Sequence, residues 1–193
     1  MTDNSQHAGS PDRLHVVHFM RPIGPETLVL LQNCVLGAVQ QKATRVSLHI
    51  SSAGGNNDQG FTAYHFLRSL PVAVETHCIG NVESMAVLLF LAGEDRRIVP
   101  HGKLKVHPML WGFAAGTVDH DRLVEYADSL NFDAKRYANI FDERTGTGTR
   151  RVDVRSHLAG KAEFLDAKQA VDAGIATAVA DATIPDSAVI WWV

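Results

Sequence analysis

Val72-Ala73-Val74-Glu75-Thr76-His77-Cys78-Ile79-Gly80-Asn81-Val82-Glu83-Ser84-Met85-Ala86-Val87-Leu88-Leu89-Phe90-Leu91 is the stretch on which the fold turns. Residues 72–79 have the composition of a buried strand, and residues 84–91 are apolar on every side, as a buried helix ending at Gly93 would be. A strand giving way to a helix presents the residue at the junction outward. Ser84 is therefore expected in the first helical turn, where the partial positive charge of the helix N-terminus favours a developing anion.

Upstream, Arg45–Ser52 alternates apolar and polar residues as a strand does, Gly54-Gly55 follows, and residues 61–70 read as an amphipathic helix. The two glycines thus mark a second strand-to-helix junction, where backbone N–H groups can approach a ligand closely. Downstream, Lys103-Leu104-Lys105-Val106 alternates again, and Pro108 stops the strand just after His107. A serine hydroxyl is a weak nucleophile until a base takes its proton, so an imidazole must reach it in space. Ser84 is the candidate nucleophile and His107 the candidate base, which points to a serine hydrolase. Either residue alone would be a weak signal; their order with Gly54-Gly55 is a stronger one.

Four segments in sequence order carry a resemblance: Ile50-Ser51-Ser52-Ala53-Gly54-Gly55, Gly80-Asn81-Val82-Glu83-Ser84-Met85, Lys105-Val106-His107-Pro108, and Phe164-Leu165-Asp166-Ala167-Lys168-Gln169-Ala170-Val171-Asp172-Ala173-Gly174-Ile175. From about Phe19 to about Asp181 the chain resembles the Clp protease proteolytic subunit (ClpP) family. The resemblance implies an α/β, crotonase-like fold of repeated β-β-α units in a single domain with a long handle helix, matched to residues 112–141. It implies subunits in stacked rings and a serine endopeptidase that cleaves peptides or unfolded proteins inside the chamber. Ser84 and His107 match the nucleophile and base, and the N–H groups of Gly55 and Met85 match the oxyanion hole.

Three departures accompany it. Ala162 stands where the triad aspartate is expected, and Asp153, Glu163 and Asp166 are the neighbouring carboxylates, of which Asp166 reads better as a helix N-cap. Loss of the orienting acid can lower turnover by about four orders of magnitude. Glu83 directly precedes Ser84, where the family usually has a small residue, and would oppose alkoxide development. Residues 1–13 are polar and lack the family's N-terminal loop, so an AAA+ unfoldase partner is not supported by the N-terminus. Two alternatives stay open: a catalytically impaired ring subunit with a scaffold or regulatory role, and a crotonase-type enzyme acting on an acyl thioester.

The 193 residues, 46% hydrophobic, suit one core, with residues 1–14 as a disordered tail, 15–183 as the domain and 184–193 as an apolar extension that folds back or covers a neighbour. A net charge of −3 argues against nucleic-acid binding. No segment has the ~20 apolar residues that a membrane span needs, and neither leader nor cofactor is expected. Cys34 and Cys78 lie in apolar surroundings and read as free thiols of a cytoplasmic protein. His15 and His18, three apart on an apparent strand, face opposite ways, so no zinc site is expected there. Further helices are expected over residues 26–41, 119–144 and 151–158.

Overall fold

A computed structural model describes residues 13–112 and 116–193. The chain runs through β1 (Leu14–Phe19), α1 (Pro25–Gln40), β2 (Arg45–Ser52), α2 (Asn57–Arg68), β3 (Ala73–Glu83), α3 (Ala86–Leu91), β4 (Asp95–Ile98) and β5 (Lys103–Val106). It continues through α4 (His120–Thr145), α5 (Val154–Ala159), β6 (Glu163–Leu165), α6 (Ala167–Asp172), β7 (Ala178–Val179) and β8 (Val189–Trp192). The strands form one sheet in the order β6-β5-β3-β2-β1-β8, with β4 and then β7 branching from β3. All pairings are parallel except β5 with β6.

β3 organises this sheet because it is long enough to hold two successive neighbours. Its residues 75–78 pair with β4 and its residues 81–83 with β5. The register with β2 shifts between Ile50 and Ser52, which takes up the extra β3 residues at the fork. A Cβ at Gly80, within the fork, would stand 2.7 Å from Ser51 Oγ. The strand thus runs four residues past the expected end at Ile79 and delivers Glu83, and then Ser84, to the C-terminal edge of the sheet.

α3 is buried on every side, from Ala86 to Leu91, as an all-apolar helix must be. It packs against β3, α2 and α4. Each of Leu88, Leu89, Phe90 and Leu91 is completely buried and contributes about 1.5–3 kcal/mol of transfer free energy. That anchorage matters because α3 is only 6 residues long, too short to persist by propensity.

Several boundaries differ from the sequence expectations for local reasons. α3 begins at Ala86, so Ser84 lies before the helix and not in its first turn. α2 begins at Asn57 because the Asn56 side chain accepts the N–H groups of Asp58 and Gln59, a cap that the apolar periodicity from residue 61 could not register. α5 begins at Val154, leaving Asp153 as its cap. The charged β4 carries too little apolar pattern to read as a strand. Residues 113–115 of the expected handle, and residues 1–12 of the expected tail, lie outside the described residues; Leu14 already belongs to β1.

The apolar C-terminus returns to its own chain as β8, parallel to β1. Trp191 and Trp192 alternate across the sheet: Trp191 lies over Gly37 of α1 and donates its Nε1–H to His15 Nδ1, while Trp192 stacks on His18. His18, His49 and His77 stand side by side in register on β1, β2 and β3. Their rings lie 5.2 and 5.5 Å apart, centre to centre. All three are buried, and His77 Nε2 donates to the Ala180 carbonyl at 3.0 Å.

Burial keeps this row neutral. It lowers the pKa of His18 and His77, and it pushes His49 down to about 4 with help from repulsion by its two neighbours. On His77 the Ala180 carbonyl, Asp95 and Asp181 oppose the shift while Arg97 adds to it. The unfolded chain takes up these protons near pH 6.5, so it binds more protons than the folded chain below that pH and stability falls with acidification. We expect the thermal midpoint to drop between about pH 6.5 and pH 4, and His49→Gln to flatten that slope; a slope unchanged by the substitution would remove the row as its cause.

Candidate active site

Ser84 adopts φ 55, one of two described non-glycine residues with positive φ. The conformation costs about 1–3 kcal/mol for a residue with a Cβ and persists only where its surroundings impose it. Here both peptide groups are taken. Ser84 N–H donates to the Lys105 carbonyl at 2.9 Å, and its own carbonyl accepts from Val87 N–H at 3.0 Å and from the Tyr137 hydroxyl at 3.2 Å. Tyr137 is fully buried on α4, and burial raises its pKa, so the hydroxyl remains a donor. The side chain of Ser84 is half-buried at the mouth of the sheet.

The glycine pair closes against this elbow. A Cβ on Gly54 (φ +87) would stand 2.7 Å from Ser84 Cβ and 3.0 Å from Met85 N. A Cβ on Gly55 (φ +151) would stand 2.1 Å from the Ile23 carbonyl oxygen. Ile23 bridges Gly55 in parallel fashion: its N–H donates to the Gly54 carbonyl and its carbonyl accepts from Asn56 N–H, at 2.8 and 2.9 Å. In an extended chain the groups alternate sides, so the Gly55 N–H is directed away from Ile23. Neither it nor the Met85 N–H finds an acceptor among the described residues. Two unspent donors thus flank the serine elbow.

His107 follows β5 immediately, beside Ser84's hydrogen-bond partner Lys105. Its Nδ1 lies 2.7 Å from the Pro108 carbonyl oxygen. A carbonyl oxygen can only accept, so Nδ1 carries the proton and the neutral ring keeps its lone pair on Nε2. Ser84, Gly55, Met85 and His107 therefore all sit at the C-terminal ends of parallel strands, the edge at which open α/β sheets carry their sites.

No carboxylate faces His107 from β6. Val106 pairs with Glu163 in the antiparallel ladder, and continuing that register by one residue sets Ala162 opposite His107. The three neighbouring carboxylates are engaged elsewhere. Asp153 accepts from Ser156 N–H, Asp166 from Gln169 N–H in a reciprocal capping box, and Glu163 is paired with Arg150 at 2.7 Å and lies 3.9 Å from His157 Nε2. Glu83 also differs from its sequence reading: Lys103 and Lys105 hold its carboxylate at 2.7 and 3.7 Å. Its charge is thereby offset and opposes an alkoxide less than position alone suggests.

Sequence patterns missed two participants. Tyr137 gives no signal beyond its place on the apolar stripe of α4, and the Pro108 carbonyl is a backbone group. The other conceivable nucleophile on β3 is Cys78, but burial pushes its thiol up to about 11, leaving it protonated at neutral pH. Among the described residues no cluster of His, Cys, Asp and Glu could hold a metal, and no helix is long and apolar enough to cross a membrane.

A family model described as Clp protease matches residues 16–183. The ATP-dependent Clp protease proteolytic subunit 2 of Chlamydia pneumoniae is 28% identical over 160 residues, covering 79% of this chain and 76% of that protein. The ATP-dependent Clp protease proteolytic subunit 1 of Chlamydia felis is likewise 28% identical over 160 residues, with the same coverage.

The close packing at Gly54 generates a stability prediction. Gly54→Ala combines a left-handed backbone with a clash against Ser84, and is expected to cost about 2 kcal/mol or more. Gly112→Ala, whose Cβ would meet nothing within 4 Å, should change stability by less than about 0.5 kcal/mol. Urea unfolding midpoints of the two variants test this, and equal midpoints would contradict it.

Proposed function

Because the chain belongs to the Clp protease family, we propose that it is a serine endopeptidase in which Ser84 is the nucleophile and His107 the general base. The observation that carries the reading is the strained Ser84 elbow packed against Gly54, with two unspent backbone donors beside it. His107 Nε2 takes the Ser84 hydroxyl proton as Oγ attacks the peptide carbonyl carbon. The resulting oxyanion accepts hydrogen bonds from the Gly55 and Met85 N–H groups. His107 then delivers the proton to the departing amine, and water repeats the sequence on the acyl-serine.

The Pro108 carbonyl holds the His107 tautomer that this chemistry needs. It carries only a partial charge, however, and stabilises the imidazolium less than a carboxylate would. Turnover below that of a complete triad is the expected consequence. Assembly into stacked rings around a peptide or unfolded-protein substrate fits the handle helix α4, which leaves Leu123, Val124 and Phe132 exposed on a single chain. The alternative of a catalytically impaired ring subunit draws its support from Ala162.

Two measurements test this reading. A serine-directed fluorophosphonate should give one mass adduct on the native chain, lost in Ser84→Ala and in His107→Ala; a folded native chain without adduct would favour the scaffold subunit. Ala162→Asp, which returns a carboxylate opposite His107, should raise peptide turnover by about tenfold or more, within the four orders of magnitude that such an acid can supply.

A further inference from the structure

A cavity opens beside Gly55, one of the two unspent donors. It measures about 310 Å³ and is bordered by Gly55, the start of α2, the segment Leu110-Trp111-Gly112 and the Ser129 and Asp133 positions of α4. Asp133 and Tyr137 lie one helical turn apart on the same buried face of α4, and Tyr137 reaches the Ser84 carbonyl. One turn is about 5.4 Å, so the Asp133 wall of the cavity stands next to the residue that bonds the Ser84 carbonyl, and the cavity shares Gly55 with the candidate site.

Its lining is of two kinds. Leu110 and Trp111 form an apolar shelf, with Trp111 stacked on Tyr126 at 4.4 Å between ring centres. Across from the shelf stand carboxylates and carboxamides, and among the described residues the lining contains no lysine or arginine. Arg136 does not border the cavity: its guanidinium lies 3.8 Å from the Phe61 ring centre and donates to Asp133 Oδ1 at 2.6 Å. Asp133 Oδ2 accepts from Asn57 at 3.2 Å, so that carboxylate is engaged on both oxygens and orders the wall. Asp58 is different. It is exposed, lines the cavity, and forms no ion pair among the described residues.

Building on the peptidase reading, we infer that this cavity receives the substrate side chain next to the scissile bond and selects lysine or arginine there. The aliphatic stem of such a side chain packs on Leu110 and Trp111. Its charged end meets the indole face and the Asp58 carboxylate. A glutamate side chain would meet like charge at Asp58 and Asp133, and a leucine would leave the polar wall without a partner.

Diphenyl phosphonate esters bearing lysine, norleucine or glutamate side chains test the inference on the full-length chain, with the generic fluorophosphonate as a measure of Ser84 reactivity. The lysine probe should label Ser84 faster than norleucine by about two- to fivefold, the scale of an exposed charge pair, and glutamate should be slowest. Asp58→Asn should bring the lysine-to-norleucine ratio close to one, and Asp58→Lys should move the preference toward glutamate, while generic labelling persists in both. Generic labelling with norleucine as fast as lysine would overturn the preference and leave the peptidase reading standing. Preference for lysine that survives Asp58→Lys would also overturn it, because the cavity would not be its source. Absence of any Ser84 adduct would overturn the peptidase reading and this inference together.

Discussion

The contact between the Gly54 backbone and the Ser84 elbow is the constraint to which the rest of the site answers. A side chain at position 54 would overlap Ser84 Cβ, and one at position 55 would overlap the Ile23 carbonyl. Three chain segments, entering α1, leaving β2 and leaving β3, are therefore brought closer than ordinary side chains allow. Ser84 cannot relax out of its left-handed conformation without losing the bonds to Lys105, Val87 and Tyr137. The stabilising term behind this is the burial of α3, whose apolar surface fills the space between β3, α2 and α4. Local strain at one residue is offset by hydrophobic burial over the next seven.

Charge around the elbow is arranged so that little of it acts on Ser84. Glu83 is held by two lysines of β5, one of them directly opposite in register. The carboxylates flanking Ala162 in sequence cap helices or bind Arg150. His107 is left with a carbonyl as its orienting partner, a group that directs the proton to Nδ1 without adding a full negative charge. The same edge of the sheet carries neutral donors at Gly55 and Met85. The proposed mechanism accordingly draws on preorganised dipoles more than on a charged relay.

Away from the site, buried polar groups tie the ends of the fold together. Arg96, almost entirely buried, donates to the carbonyls of Gly93, Arg144, Gly174 and Ile175 and so joins β4 to the end of α4 and to the turn after α6. At the opposite edge the histidine row and the two tryptophans of β8 hold the C-terminal segment on β1. Both arrangements are built from groups separated by long stretches of chain.

Local pattern made much of the architecture legible. The alternation of Arg45–Ser52 and of Lys103–Val106, the Pro25 start of α1, the amphipathic stripe of α4 and the Asp166 cap of α6 each follow from short-range sterics and burial, which the sequence carries within a few residues. The order of the glycine pair, Ser84 and His107 named the candidate site residues in the same way, and it also marked Ala162 as the gap. What only the tertiary structure decided lies between distant segments. The positive φ of Ser84, the loss of Glu83's influence to two lysines, the Tyr137 bond, and the pairing of β8 with β1 all arise from groups far apart in sequence, and no periodicity records them. The strand β4, charged at three of its four positions, is a strand because β3 and β7 offer it backbone partners. Sequence determines which surfaces must be buried and where the chain can bend; the packing of those surfaces determines which backbone groups remain unspent, and at the candidate site those groups are the N–H donors of Gly55 and Met85.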